Sequence, residues 1–211
     1  YFYNDLSRLT QSKKHTDAYS WTFQTNFDWN YTFADKHDVT ALVGFESMYH
    51  NTSYTSVEMT GFANDQLTEL KNMVTMKSID GSQSDYAAAS VFGRVTYAYD
   101  GRYLFEANLR YDGSSRFAAQ SRWGLFPSFS AGWRISEEPW MKNSGFDNLK
   151  IRASYGRLGN NSIGNYDYLA TYASSITYPL GGSDALTSGV VSTLSNNALT
   201  WEITSSYDLG L

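Results

Sequence analysis

The chain has 211 residues, a formal net charge of -5, 18% charged residues and 17% aromatic residues, with 17 Tyr, 12 Phe and 6 Trp. The weakly acidic balance disfavours nucleic acid, which wants a basic face. The absence of cysteine excludes a disulfide scaffold, a thiolate metal site and a cysteine nucleophile, but not an oxidising periplasm. Mean hydropathy is -0.43, and no apolar stretch approaches the roughly 18–20 residues of a membrane helix. A strand that crosses a membrane needs apolar residues on one face only, so a barrel stays open. No signal peptide precedes Tyr1, and both ends read as strand, as expected of a section cut from a longer protein.

Taken in order, the segments repeat a period of two. Strand 1–10 is weakly marked. In 19–34, Tyr19, Trp21, Phe23, Phe27, Trp29, Tyr31 and Phe33 share one face, while Ser20, Thr22, Gln24, Asn26, Asp28 and Asn30 share the other. Shorter strands are expected at 39–49 and 90–99. In 102–112, Tyr103, Phe105, Ala107, Leu109 and Tyr111 oppose Arg102, Glu106, Asn108, Arg110 and Asp112, with Leu104 as the exception. In 123–135, Trp123, Leu125, Pro127, Phe129, Ala131 and Trp133 oppose Gly124, Ser128, Ser130, Gly132 and Arg134, with Phe126 as the exception. Strand 149–158 alternates likewise; 201–211 and a faint strand near 166–173 complete the set.

The connections differ in length. Ala34 to Asp38 is a tight link, and Asp100-Gly101 is a hairpin signal. Residues 113–122 form a medium loop, and 136–148 carry Pro139 and Gly145. Residues 55–85 read as a long polar loop with a short helix within Asn64–Lys77, and 159–199 as a long Gly, Ser and Asn-rich loop. Short turns on one side and longer loops on the other suit an outer-membrane barrel. The alternation alone also fits a soluble sandwich or a lipocalin-like barrel. Strands near 102–112 match the roughly 9–11 residues that cross a bilayer at a tilt. Aromatics near strand ends, such as Tyr103 and Tyr111, suit interfacial girdles. These features favour an all-β fold, an incomplete segment of an antiparallel transmembrane β-barrel, and leave the soluble sandwich and the lipocalin-like barrel open.

No catalytic constellation stands out, so the chain does not read as an enzyme, and no cofactor is implied. His15, His37 and His50 are expected to be solvated and do not assemble into a metal site. Asp80-Gly-Ser-Gln-Ser-Asp85 resembles a calcium loop only faintly and reads as a flexible loop. Asp28, Glu46, Arg94, Glu106, Arg110, Arg152 and Glu202 all fall on the non-aromatic face of their strands. Each would be costly against lipid, so they are expected to line a wet lumen, as an ion-pair network more than as substrate contacts.

Three runs carry a family resemblance: Ser90-Val-Phe-Gly-Arg-Val-Thr-Tyr97, Tyr103-Leu-Phe-Glu-Ala-Asn-Leu-Arg-Tyr-Asp-Gly-Ser-Ser-Arg-Phe117 and Arg122-Trp-Gly-Leu-Phe-Pro-Ser-Phe-Ser-Ala-Gly-Trp-Arg-Ile-Ser-Glu-Glu-Pro-Trp140. Leu149–Asn160 and Asn197–Glu202 continue it. Together they resemble the SusC/RagA-type TonB-dependent outer-membrane transporters. The motif positions are Arg94, Asp112, Gly113, Ser114, Ser115, Arg116, Phe117, Trp123, Pro127, Gly132, Trp133, Glu138 and Pro139. The resemblance implies that 1–211 is part of a barrel of about twenty-two strands, with plug domain, TonB-binding segment and C-terminal strands outside it. It further implies a SusD-like surface lipoprotein, a TonB energy-coupling complex and outer-membrane lipid as partners, with oligosaccharide or peptide as cargo. A passive porin-like channel and a soluble all-β binding module are the alternatives.

Overall fold

The computed structural model describes residues 10–62, 69–142, 144–179 and 185–211. Nine strands appear among them: β1 Thr10–Phe33, β2 His37–Phe62, β3 Met73–Tyr99, β4 Tyr103–Ser114, β5 Trp123–Arg134, β6 Lys150–Asn160, β7 Thr171–Pro179, β8 Ala185–Thr193 and β9 Glu202–Gly210. Seven join one sheet in the order β1-β2-β3-β4-β5-β6-β9, and β7 pairs with β8 apart from it. The order does not return on itself, so β1 and β9 end the sheet. No helix is long and apolar enough to cross a membrane, which says nothing of strands.

The strands divide between two compact units: one holds the chain up to Trp21 with Tyr49–Tyr86, the other Thr22–Met48 with Ala87–Leu211. In the first unit the expected loop 55–85 is instead mostly strand, since β2 runs to Phe62 and β3 starts at Met73. Polar pairs link the two strands across the hairpin. Lys77 donates to Glu58 at 2.7 Å, and the Tyr54 hydroxyl donates to Asp80 at 3.0 Å. The segment 80–85 is thus part of β3, not a flexible loop. Of the expected helix, 64–68 lies outside the described residues; Leu70–Asn72 is a single 3-10 turn and Met73–Lys77 is strand. Expected strand 1–10 lies outside the described residues up to position 9.

In the second unit the registers are antiparallel throughout. Leu109 stands opposite Gly93 and Pro127, and Asn108 opposite Arg94 and Ser128. Residues opposite each other share a face, so the aromatic face stays aromatic across strands. The expected loop 159–199 holds β7 and β8, and the faint strand near 166–173 is the start of β7.

The short connections gather at one end. Ala34 and Asp35 have φ of 52° and 54°, and Asp100 and Gly101 have φ of 52° and 64°. Left-handed backbone at both central residues is what a tight two-residue hairpin needs. Neighbouring turns bond directly: Asp100 N to Lys36 O at 2.7 Å, Arg134 N to Arg102 O at 2.8 Å, and Ser136 N to Leu149 O at 3.2 Å.

Few side chains are buried. The described core comprises Phe117, Ala118, Phe126, Ile135 and Trp201. By contrast Phe27 is 71% exposed, Leu109 51%, Leu125 51% and Phe129 52%. Burying one such side chain is worth about 1.5–3 kcal/mol. A sheet leaving a whole face of them open in water would forgo more than the ~5–15 kcal/mol by which domains are stable. The face needs an apolar medium.

Candidate functional site

The other face carries the charges singled out in the sequence. Arg110 holds Asp112 through Nε at 2.7 and 2.9 Å, donates to the Ser90 hydroxyl at 2.9 Å, and lies 3.6 Å from Glu46. Its guanidinium also sits 5.6 Å from the Phe92 ring. Asn108, opposite Arg94, donates to Glu106 at 2.7 Å. Glu106 and Arg152 line one hollow of about 480 Å3, together with Lys150 and Asp208, and Arg152 lies 3.7 Å from Asp208. The structure thus pairs Glu46 with Arg110, while Glu106 and Arg152 share only the lining of one hollow. Asp28 and Glu202 stay apart on the end strands: Asp28 accepts from Asn26, and Glu202 from Asn160 at 2.9 Å.

Two side-chain knots hold the ends of β4 and β5. At the turn end, Glu138 is 6% exposed yet accepts from the Tyr103 hydroxyl at 2.7 Å, Trp133 Nε1 at 3.0 Å and Arg102 at 2.9 Å. Donation by Tyr103 and Trp133 holds the Glu138 carboxyl below the usual carboxylate range; burial opposes this, and Arg102 adds to it. Asp100 closes the other side of Arg102. The 3-10 turn Ile135–Glu137 sets up this geometry, because Glu138 N caps it on Ile135 O at 3.0 Å. Pro139 follows, exposed.

At the loop end the knot is largely apolar. Phe117 is fully buried, its ring 5.2 Å from Trp201, which is in turn 5.2 Å edge-on to Phe126. Phe126, the exception on the polar face, therefore forms part of the core. Its ring lies over Gly124 and Gly159, where a Cβ would come within 2.5 and 2.1 Å of it. Polar contacts frame the rings. Trp201 Nε1 and Ser114 N both donate to Arg122 O, at 3.1 Å each. Asn161 donates to the Ser114 hydroxyl at 3.2 Å. Arg116 donates to Asn161 O at 3.0 Å and Asn165 at 3.1 Å. The loops after β4, after β6 and before β9 are tied in this way.

The remaining motif residues serve the wall. Gly113 stands opposite Trp123, whose ring stacks on Tyr111 at 4.9 Å. Ser115 N and Oγ bond Ala87 O and N, both at 2.9 Å. Pro127 lacks an N–H to donate, and β5–β6 pairing begins only at Ser128. Gly132 stands opposite Leu104 and Arg152.

His15 is exposed beside Asp17 and His50 beside Thr52. His37 departs from the expectation of a solvated residue: partly buried, it stacks on Phe33 at 4.5 Å, and its Nδ1 bonds the Tyr97 hydroxyl at 2.8 Å. A turn between two aromatic strands is apolar enough to enclose it. Among the described residues no three His, Asp or Glu side chains form a metal-sized cluster. Asn161, Asn165 and Trp201 were not singled out as site residues in the sequence. Their signal would have been the need of buried Ser114 and Arg116 for partners, which only the fold supplies.

Known proteins agree with this geometry. The family model "TonB dependent receptor-like, beta-barrel" matches residues 1–211. TonB-dependent receptor P39 of Formosa agariphila is 33% identical over 98% of this chain and 20% of its own length. TonB-dependent receptor SusC of Bacteroides thetaiotaomicron is 39% identical over 58% of this chain and 12% of its own. The RagAB peptide transporter superposes with a TM-score of 0.83 at 25% identity, over 95% of this chain and 22% of that one. The chain spans about a fifth of the length of the curated relatives whose matches run nearly its full length. These relatives are receptors and transporters of the bacterial outer membrane, not enzymes. The chain belongs to the family of TonB-dependent receptor β-barrels.

Proposed function

We propose that residues 1–211 form a section of the wall of an energised outer-membrane importer of oligosaccharides or peptides. One observation carries the reading: in the second unit, large apolar side chains stand open on one face while paired carboxylates and guanidiniums occupy the other. The aromatic face meets lipid. The face with Asp28, Glu46, Arg94, Glu106, Arg110, Arg152 and Glu202 turns to the lumen, where charges stay hydrated or meet a plug. The plug domain, the TonB-contacting segment and the C-terminal strands belong to the protein beyond these residues, as the length of the relatives supports. The loops joined at the Phe117 knot face outside, since longer loops are extracellular in such barrels. There they meet a SusD-like lipoprotein and the cargo. No bond is made or broken in cargo; a TonB complex supplies the work that moves the plug.

The test uses the whole protein in its host, with uptake of a fluorescent oligosaccharide and a fluorescent peptide. Uptake of one of them should stop when a protonophore collapses the inner-membrane gradient. Uptake that persists unchanged would identify a passive porin-like channel instead.

A further inference from the structure

The connection between β5 and β6 is long for the turn end, and it is not a loose loop. Ser136 N bonds Leu149 O at 3.2 Å and closes its base. Within it Glu138 N bonds Ile135 O at 3.0 Å, Met141 N bonds Glu138 O at 2.9 Å, and Ser144 N bonds Met141 O at 3.0 Å. The chain is folded into successive turns, a flap with a defined shape. Its residues are mostly polar, yet Trp140 is 65% exposed and Phe146 61%, both more open than Trp133 in the wall at 36%.

The flap is fastened to one side of the sheet. The last row of the aromatic face at this end is a continuous belt of rings. Phe33 stacks on His37 at 4.5 Å, His37 lies 4.9 Å from Tyr99, Tyr99 lies 6.2 Å from Tyr103, and Tyr103 stacks on Trp133 at 6.2 Å. Tyr103 and Trp133 stand opposite each other in the register and share the face of Phe105 and Ala131. Both donate to Glu138, while Arg102 reaches the same carboxylate from the turn before β4. The start of the flap is therefore held against the belt on the aromatic side. Trp140 lies two residues further on, at most about 7 Å along the chain, inside the turn that Met141 N closes on Glu138 O.

A belt of Tyr and Trp is where a barrel wall meets the membrane–water interface. An indole is favoured there because its ring is apolar and its N–H can stay wet. In open water the same ring forgoes about 1.5–3 kcal/mol of burial. We propose that the 136–148 flap is a membrane-surface anchor, with Trp140 seated among the lipid headgroups of the leaflet at the turn end. The surface continues the aromatic face, and its partner is the bilayer itself. This rests on the reading of that face as the lipid side of a barrel wall, but not on what the protein transports.

The test uses the full-length protein in vesicles of phosphatidylethanolamine and phosphatidylglycerol, with any cysteine outside these residues replaced by serine. Trp140→Cys, Leu109→Cys and Lys36→Cys each carry a nitroxide in turn. Electron paramagnetic resonance then compares collisions with oxygen, which concentrates in lipid, and with a nickel chelate, which stays in water. The oxygen-to-nickel ratio at Trp140 should be at least twofold above that at Lys36 and below that at Leu109. Should the Trp140 variant fail to fold, Phe146→Cys takes its place with the same expectation. A ratio equal to that at Lys36 overturns the proposal by leaving the flap in water. Weak collisions with both reagents overturn it by showing that protein, not lipid, covers the flap. A Leu109 label reached mainly by nickel would overturn the wall reading and this proposal with it, so the two failures are told apart.

Discussion

The two ends of β4 and β5 are held by opposite chemistry. At the turn end one carboxylate, Glu138, gathers a phenol, an indole and a guanidinium. At the loop end three rings, Phe117, Phe126 and Trp201, do the holding, and polar groups only frame them. The difference follows from what each end must join. Tight turns bring neighbouring backbones into direct hydrogen bonding, so a single buried charge suffices to lock them. Loops distant in sequence share no ladder, and the contact available to them is packing. One knot should therefore respond to pH and the other to volume.

Removing volume from the loop end should have the larger effect. Phe117→Ala should destabilise the folded full-length protein by about 3–5 kcal/mol, the usual cost of emptying a buried aromatic site. Urea titration in lipid bilayers, followed by heat-modified gel mobility, reads this directly. The loss should be the same at pH 4 and pH 8. Adding volume should cost less: Gly159→Ala places a Cβ within 2.1 Å of the Phe126 ring, and overpacking costs about 1–3 kcal/mol. A neutral Gly159→Ala would show that Phe126 does not occupy that cradle.

The turn end should behave otherwise. The Glu138 carboxyl titrates lower in the folded protein than its unfolded value of about 4.3. Its stabilisation is therefore complete above that value and is lost as pH falls through the folded pKa. Glu138→Gln should be less stable than the natural protein at neutral pH, and the gap should close below about pH 4.3. A gap that stays constant to pH 2 would remove the charge from the explanation. The smallest effect is expected in the neighbouring turn. Ala34 holds φ of 52°, a conformation costing a side-chain-bearing residue ~1–2 kcal/mol, offset by ~0.5–1 kcal/mol of glycine entropy. Ala34→Gly should gain about 0.5 kcal/mol, visible as a shifted denaturation midpoint.

The same contrast explains what the sequence disclosed. Strands around Leu109 and Phe129 were legible because an apolar face on one side and a polar face on the other give a two-residue period. The Asp100-Gly101 turn was legible because its chemistry is local. Residues 55–85 read as a loop because their composition is polar on both faces. Val57 and Met59 do alternate with Glu58 and Thr60, but the pairing of Glu58 with Lys77 is visible only across the hairpin. Phe126 stood out as an exception in its strand, yet its cradle needs Gly159 and its partner is Trp201, 33 and 75 positions on. Of the charged positions, the alternation placed all seven on one face; which of them meet, as Glu46 meets Arg110, depended on register.

The central claim is that the sheet of the second unit has a lipid face and a wet face, and two adjacent residues test it most directly. Leu109 and Asn108 sit side by side on β4 and point to opposite faces. In the full-length protein folded into bilayers, Leu109→Arg should cost roughly 2–4 kcal/mol if it lies near the midplane. Asn108→Arg should cost much less. Equal costs for the two substitutions would contradict the account.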